Sequence, residues 1–207
     1  MARWLRDNPT EMRLLIVLAL ICLGLSLTTD SFLTASNLSS LLNNSAVNVI
    51  WAVGLLVVLV AGGIDISFAV AASVVQYLAV YVFQAIGGGS WPVGFLVAMI
   101  LGAGLGFINA ALIHYFRIIS IVVTIATFNA FFGLLMFFTS GRVIYDLPSW
   151  WTARIFLWER QMPSGAWAEL TLTFGVMLAC LLATWTLLRH TTTGRQLYAY
   201  GDNPEGA

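Results

Sequence analysis

Gly62-Gly63-Ile64-Asp65-Ile66-Ser67 separates two long apolar runs, and its reading decides how the chain is folded. Between Leu14 and Ile113 only two residues carry charge: Asp65 in this stretch and Asp30 in a polar linker. Two adjacent glycines let a backbone leave helical geometry. Asp or Ser can then cap the next helix by accepting from its free N–H groups. The stretch therefore reads as a deliberate break between two membrane helices.

Composition supports that solvent. The chain has 207 residues, 60% apolar and 9% charged, with a mean hydropathy of +0.91. A soluble domain is nearer half apolar and a quarter charged, and one of this length has no interior large enough for so much apolar surface. Formal net charge is zero, all nine basic residues are Arg, and no basic tract occurs, which argues against a nucleic-acid partner. Cys22 and Cys180 lie in separate apolar runs without a CxxC or a nearby His, and read as packing residues. No Ser/His/Asp set, HExxH, metal cluster or GxxxxGK[ST] is present, so neither an enzyme nor a cofactor site is expected. With no Lys the chain cannot supply a P-loop lysine, and ATP-driven work would fall to another subunit.

Working outward, Arg3, Arg6 and Arg13 precede or open an apolar run over residues 14–27. No small-x-small cleavage site follows, and bulky Ile21 precedes Cys22 where a lipoprotein signal wants a small residue. The run is expected to be a retained first helix with snorkelling ends. Six spans are predicted, over about residues 12–29, 45–61, 66–86, 92–113, 118–139 and 167–188. The runs are continuous rather than alternating, so helices are preferred to barrel strands and the fold class is all-α membrane. The transmembrane domain would cover residues 1–189.

Orientation follows from the arginines. With the N-terminus in the cytoplasm, Arg3, Arg6, Arg13, Arg117, Arg189 and Arg195 fall inside, while Arg142, Arg154 and Arg160 fall outside. Residues 30–44 are expected to form a capped polar loop over the outer face. Gly87, Gly88, Gly89 and Ser90, followed by Trp91 and Pro92, predict a tight outer turn. His114–Arg117 predicts a very short inner turn in which His114 sits at the interface.

Residues 140–166 form the sizeable outer segment. Pro148 and Ser149 would start a helix carrying Trp151, Ile155 and Trp158 on one side, lying in the membrane interface. Either it anchors through the aromatic belt, or Arg142, Arg154, Glu159 and Arg160 dock a soluble partner. The fourth span carries Ala98, Gly102, Gly106 and Ala110, a small residue every fourth position that lets another helix approach closely.

Charge inside a membrane is costly and marks a pathway or a partner. Asp65 is accordingly assigned either a capping and hinge role with Gly62, Gly63 and Ser67 or a direct role in translocation. Asn43, Asn44, Asn48, Gln76, Asn109 and Asn129 lie in or beside the spans, lining a path for a hydroxyl-rich solute or bonding across helices. Of these, Asn48, Gln76, Asn109 and Asn129 are the path-lining candidates.

Three blocks in order carry a family resemblance. Gly62 to Ser67 resembles the GGIDLS signature of permease subunits of ribose- and xylose-type sugar ABC importers. Gly106-Phe107-Ile108-Asn109, Arg117-Ile118 and Val123-Thr124-Ile125-Ala126-Thr127 are similar to that family's GLINGLL…RIPPFIVTLAT block. Residues 193–207 resemble its T-x-x-G-R-x-x-Y-A-x-G-x-N-x-x-A-A segment. The resemblance implies a vitamin-B12-importer type of fold with about ten helices and a bacterial inner-membrane location. It also implies an ABC ATPase subunit, a periplasmic sugar-binding protein and a second permease subunit as partners. Residues 190–207 would begin the cytoplasmic segment that couples to the ATPase, through Gly194, Arg195, Tyr198, Gly201, Asp202 and Asn203. Departures are Phe68, Ala69 and Val70 where the family has Val-Gly-Ser, and Ile119-Ser120 where it has a proline pair that would kink the helix. The last residue, Ala207, falls inside the coupling segment, so a truncated product or partial chain is expected. A non-transporting membrane scaffold and an ion-coupled carrier are the alternative functions; one Asp at a helix end is thin provision for the latter.

Overall fold

The computed structural model describes residues 9–203; Arg3, Arg6 and residues 204–207 of the sequence reading lie outside that range. The elements run α1 (Pro9–Thr28), α2 (Ala35–Val60), α3 (Phe68–Ala85), α4 (Trp91–Phe116), α5 (Ser120–Thr139), α6 (Ser149–Thr152), β1 (Phe156–Gln161), β2 (Trp167–Thr171), α7 (Leu172–His190) and α8 (Thr192–Asp202). Helices α1 to α5 and α7 are each long and apolar enough to cross a membrane. The chain is an all-α membrane protein with little sheet. Leu14, Leu20 and Leu23 on α1 are exposed, which suits lipid and would be costly in water.

The described residues fall into two units, 9–47 with 155–176 and 48–154 with 177–203, whose boundaries lie inside α2, between α6 and β1, and inside α7. In the first unit β1 and β2 form an antiparallel hairpin. Its turn is closed by the Met162 N–H on the Ala166 carbonyl at 2.8 Å and the Gly165 N–H on the Met162 carbonyl at 2.9 Å. The start of α2 grips β2 with polar side chains. The Ser36 hydroxyl donates to the Trp167 carbonyl (2.7 Å), and the Ser39 hydroxyl accepts the Glu169 N–H (3.2 Å). Asn43 donates to the Glu169 carbonyl (2.8 Å) and accepts the Thr171 N–H (3.1 Å). These satisfy backbone groups that a sheet edge would otherwise leave open.

Several expectations are corrected here. Residues 35–44 are not loop: they are the first turns of α2, with Thr34 accepting the Asn37 N–H (3.3 Å) at its cap. Their Ser and Asn content reflects the hairpin they hold. The predicted interfacial helix through Ile155 and Trp158 is instead β1, and the sixth span begins at Leu172 because Trp167–Thr171 is β2. The Pro163-Ser164-Gly165 turn between two aromatic-rich runs outweighs the helical spacing of Trp151, Ile155 and Trp158. Only the short helix after Pro148 forms as expected. Helix α4 also continues through His114 to Phe116, so the turn after it is shorter than predicted, with Arg117 left-handed at φ 52°.

In the second unit α3, α4 and α5 pack on one another around Ala79, Val80, Phe83, Val123 and Phe131. At the C-terminal end of α3, Phe83 meets Trp150 and Trp151 of α6 edge-on, with ring centroids 5.0 and 5.7 Å apart. Gly89 and Gly94 make room: a Cβ on either would lie 2.7 Å from Phe83 and 2.8 Å from Trp150, respectively.

Candidate functional site

The break at Gly62 is built from the backbone upward. Gly62, at φ +78°, is the left-handed residue that ends α2. Its N–H reaches the Leu59 carbonyl (2.9 Å) and the Gly63 N–H reaches the Val58 carbonyl (3.0 Å). This is the paired-bond helix stop that glycine favours. Beyond it, Asp65 Oδ1 accepts both the N–H and the hydroxyl of Ser67, each at 2.7 Å. Asp65 thus fixes the residue at the N-cap of α3 rather than bonding the helix's own free N–H groups.

Side chains from two other helices hold the same segment. In the first turns of α5, Ser120 Oγ accepts the Ile64 N–H (2.9 Å) and Thr124 Oγ1 donates to the Ile64 carbonyl (3.1 Å). Spaced four apart, the two hydroxyls face the same way and clasp one residue's backbone on both sides. From α4, Asn109 Nδ2 donates to Ser67 Oγ at 2.8 Å, in a buried position. Since the Ser67 hydroxyl proton goes to Asp65, its oxygen must accept, and this orients the Asn109 amide. Asn109 Oδ1 is buried and has no partner among the described residues. Asp65, Ser67, Asn109, Gly102 and Gly106 border a cavity of about 280 Å³.

The last helix closes on this point. Thr191 caps α8 by accepting the Gly194 N–H (3.0 Å). A Cβ on Gly194 would collide with the Leu187 carbonyl and lie 2.7 Å from Leu188 Cα, so glycine is what lets α8 fold back on the end of α7. At its other end, a Cβ on Gly201 would collide with the Val60 carbonyl and lie 3.1 Å from the Gly62 nitrogen. A Cβ on Gly62 would come within 3.3 Å of Gly201 Cα. Helix α8 therefore meets the break main chain to main chain.

Gly62, Gly63, Asp65, Ser67, Asn109, Gly194 and Gly201 thus join one construction. Arg195, Tyr198 and Asp202 are exposed on α8, and the Asn203 N–H caps it on the Ala199 carbonyl at 2.9 Å. Asn48, Gln76 and Asn129 are exposed on α2, α3 and α5, and Asn129 bonds back to the Ile125 carbonyl (2.8 Å). They do not converge with Asn109. Gly102 and Gly106 have nothing within 4 Å of a built Cβ, so among the described residues no helix packs on the small-residue ladder there. Arg142 and Arg154 belong to one unit, Glu159 and Arg160 to the hairpin of the other. Sequence reasoning missed Ser120, Thr124 and the hairpin anchors Ser36 and Ser39. Hydroxyls repeating at three- and four-residue spacing beside a glycine break or a turn were the available signal.

A family described as branched-chain amino acid transport system / permease component matches residues 37–207. The chain belongs to that family. Among relatives of this permease component, the autoinducer 2 import system permease protein LsrC of Salmonella typhi is 31% identical over 212 residues, covering 100% of this chain and 56% of the relative. The Photorhabdus luminescens protein of that name is 27% identical over 208 residues, covering 100% and 59%. The ribose import permease protein RbsC of Escherichia coli (strain K12) is 28% identical over 213 residues, covering 97% and 59%. This permease-family chain spans somewhat more than half the length of those relatives. No solved structure matches it.

Proposed function

We propose that this chain is the front part of a permease subunit of an ATP-driven importer for a small sugar or polyol, in a bacterial inner membrane with its N-terminus cytoplasmic. Family membership and relatives described as autoinducer 2 and ribose import permeases support the reading. The observation that carries the mechanism is the glycine-to-glycine contact between α8 and the end of α2. A separate ABC ATPase docks on Arg195, Tyr198 and Asp202. When it pulls α8, no flexible side chain lies between Gly201 and the Val60–Gly62 backbone to absorb the displacement. The break then moves, and its hydrogen bonds pass the motion to α5 through Ser120 and Thr124 and to α4 through Ser67 and Asn109. Asp65 and the glycines act as the hinge of an inner gate rather than as a solute ligand. A periplasmic binding protein delivers solute to the opposite end, and a second permease subunit completes the path.

The test is reconstitution in proteoliposomes with the ATPase and binding protein that purify with the chain from its own membranes. The expected result is D-ribose or related polyol uptake that requires ATP and the binding protein. Uptake that survives removal of the ATPase and collapses with an ion gradient would instead identify a carrier. A chain that purifies without partners would identify a scaffold.

A further inference from the structure

We infer that the cavity at the C-terminal ends of α3 and α5 is a vestibule that binds a neutral polyhydroxylated solute. The inference rests on the import reading and names where the cargo first meets this subunit. The cavity measures about 450 Å³, within the range that holds a small molecule with residual water. Tyr77, Tyr81 and Gln84 line it from successive turns of α3, and Arg142, Tyr145 and Asp146 from the segment after α5.

The main chain of that segment is held from α3. The Tyr77 hydroxyl donates to the Arg142 carbonyl, and Gln84 Nε2 to the Asp146 carbonyl at 3.5 Å. The Arg142 N–H donates to the Thr139 carbonyl (3.0 Å) and the Leu147 N–H to the Tyr145 carbonyl (3.0 Å). The side chains are left for a ligand: the Arg142 guanidinium and the Asp146 carboxylate have no partner among the described residues.

That inventory matches a sugar. Guanidinium donates only, carboxylate accepts only, and amide and phenol do both. A ring of hydroxyls offers both functions at every carbon. Tyr81, 52% exposed, presents a ring face on which an apolar C–H face can lie. Arg142 and Asp146 offset each other, so the vestibule favours neither sign of net charge. Next to it, sharing Tyr77, Tyr81, Phe138 and Thr139, lies a cavity of about 320 Å³ whose other walls include Leu78, Leu105 and Leu134. An ion passing from the first into the second would lose hydration without compensation. A neutral polyol would not lose a charge's worth.

Saturation-transfer-difference NMR on the chain in lipid nanodiscs tests this, with D-ribose, D-xylose, myo-inositol and L-leucine as probes. The expected result is transfer from aromatic protons to the C–H groups of one or more polyols and none to L-leucine. Tyr81→Ala combined with Asp146→Asn is expected to weaken binding about tenfold, while Tyr81→Phe stays within about twofold. Transfer to L-leucine at the same level, or polyol binding unchanged in the double variant, would overturn the vestibule. Capture of an ATPase by the same chain reads the import assignment separately. ATPase capture without polyol transfer removes the vestibule alone, whereas polyol transfer without capture leaves it standing and removes the import reading.

Discussion

Gly62-Gly63 and Gly87-Gly88 stop α2 and α3 with one backbone device. Each pair places a left-handed glycine, at φ +78° and +73°, after the helix and sends two N–H groups back to its last turn. Their surroundings differ. At Gly62 the neighbours are hydrogen-bonding side chains and another glycine, with Ser120, Thr124 and Asn109 holding the segment and Gly201 resting on it. At Gly87 and Gly88 nothing lies within 4 Å of a built Cβ, and the end is fixed by the rings of Phe83, Trp150 and Trp151 over Gly89 and Gly94. Ring packing resists displacement because every shift opens a void. Directional bonds and a bare backbone contact can carry a displacement from one helix to the next. In the mechanism we propose, the same punctuation is therefore a wedge at one end of α3 and a linkage at the other.

Substitutions can break that contrast. The largest stability loss is expected from Phe83→Ala, about 3–5 kcal/mol from removal of a buried ring. Denaturant unfolding of the reconstituted chain would read it, with uptake preserved below the transition. A comparable loss of uptake would make the aromatic end part of the linkage. Gly62→Ala is expected to cost about 1–2 kcal/mol from a left-handed alanine and crowding at Gly201, and uptake should fall far more than stability. Asp65→Ala frees the Ser67 N–H and hydroxyl, about 1–2 kcal/mol, and Asp65→Asn, which keeps an acceptor, should recover most of it. Ser120→Ala strands the Ile64 N–H and is expected to cost about 1 kcal/mol or less. Hydrogen exchange at Ile64 checks this directly, since faster exchange is predicted there and not at Gly88. Gln76→Ala, on an exposed turn of α3, should stay within about 0.5 kcal/mol.

Much of this was legible in the residues. Apolar runs of membrane-spanning length gave six helices, and two glycine pairs gave two turns, because both signals are local. The expectation that Asp65 or Ser67 caps α3 is corrected by the structure: Ser67 makes no side-chain cap bond, and Asp65 instead accepts the N–H and hydroxyl of Ser67, the residue before the helix. The hairpin was not legible to a reading that gave weight to Trp151, Ile155 and Trp158 and little to Pro163-Ser164-Gly165. A strand edge needs partners, and those partners, Ser36, Ser39 and Asn43, lie more than a hundred residues away. The clasp of Ile64 by Ser120 and Thr124 has the same character. Ser120 stands where the family resemblance expects proline, and its hydroxyl accepts a hydrogen bond that a proline ring could not. Contact between Gly201 and Gly62 was hidden because a glycine in a helix does not announce what presses on it.

The most direct experiment compares ATP hydrolysis and uptake in proteoliposomes carrying Gly201→Ala. A methyl group there collides with the Val60 carbonyl and must lift α8 from the break. The expected result is hydrolysis near the level of the unaltered protein with uptake reduced at least about tenfold, because the ATPase still binds but its motion no longer reaches Gly62. Uptake per ATP equal to that of the unaltered protein would contradict the linkage and return α8 to a purely structural role.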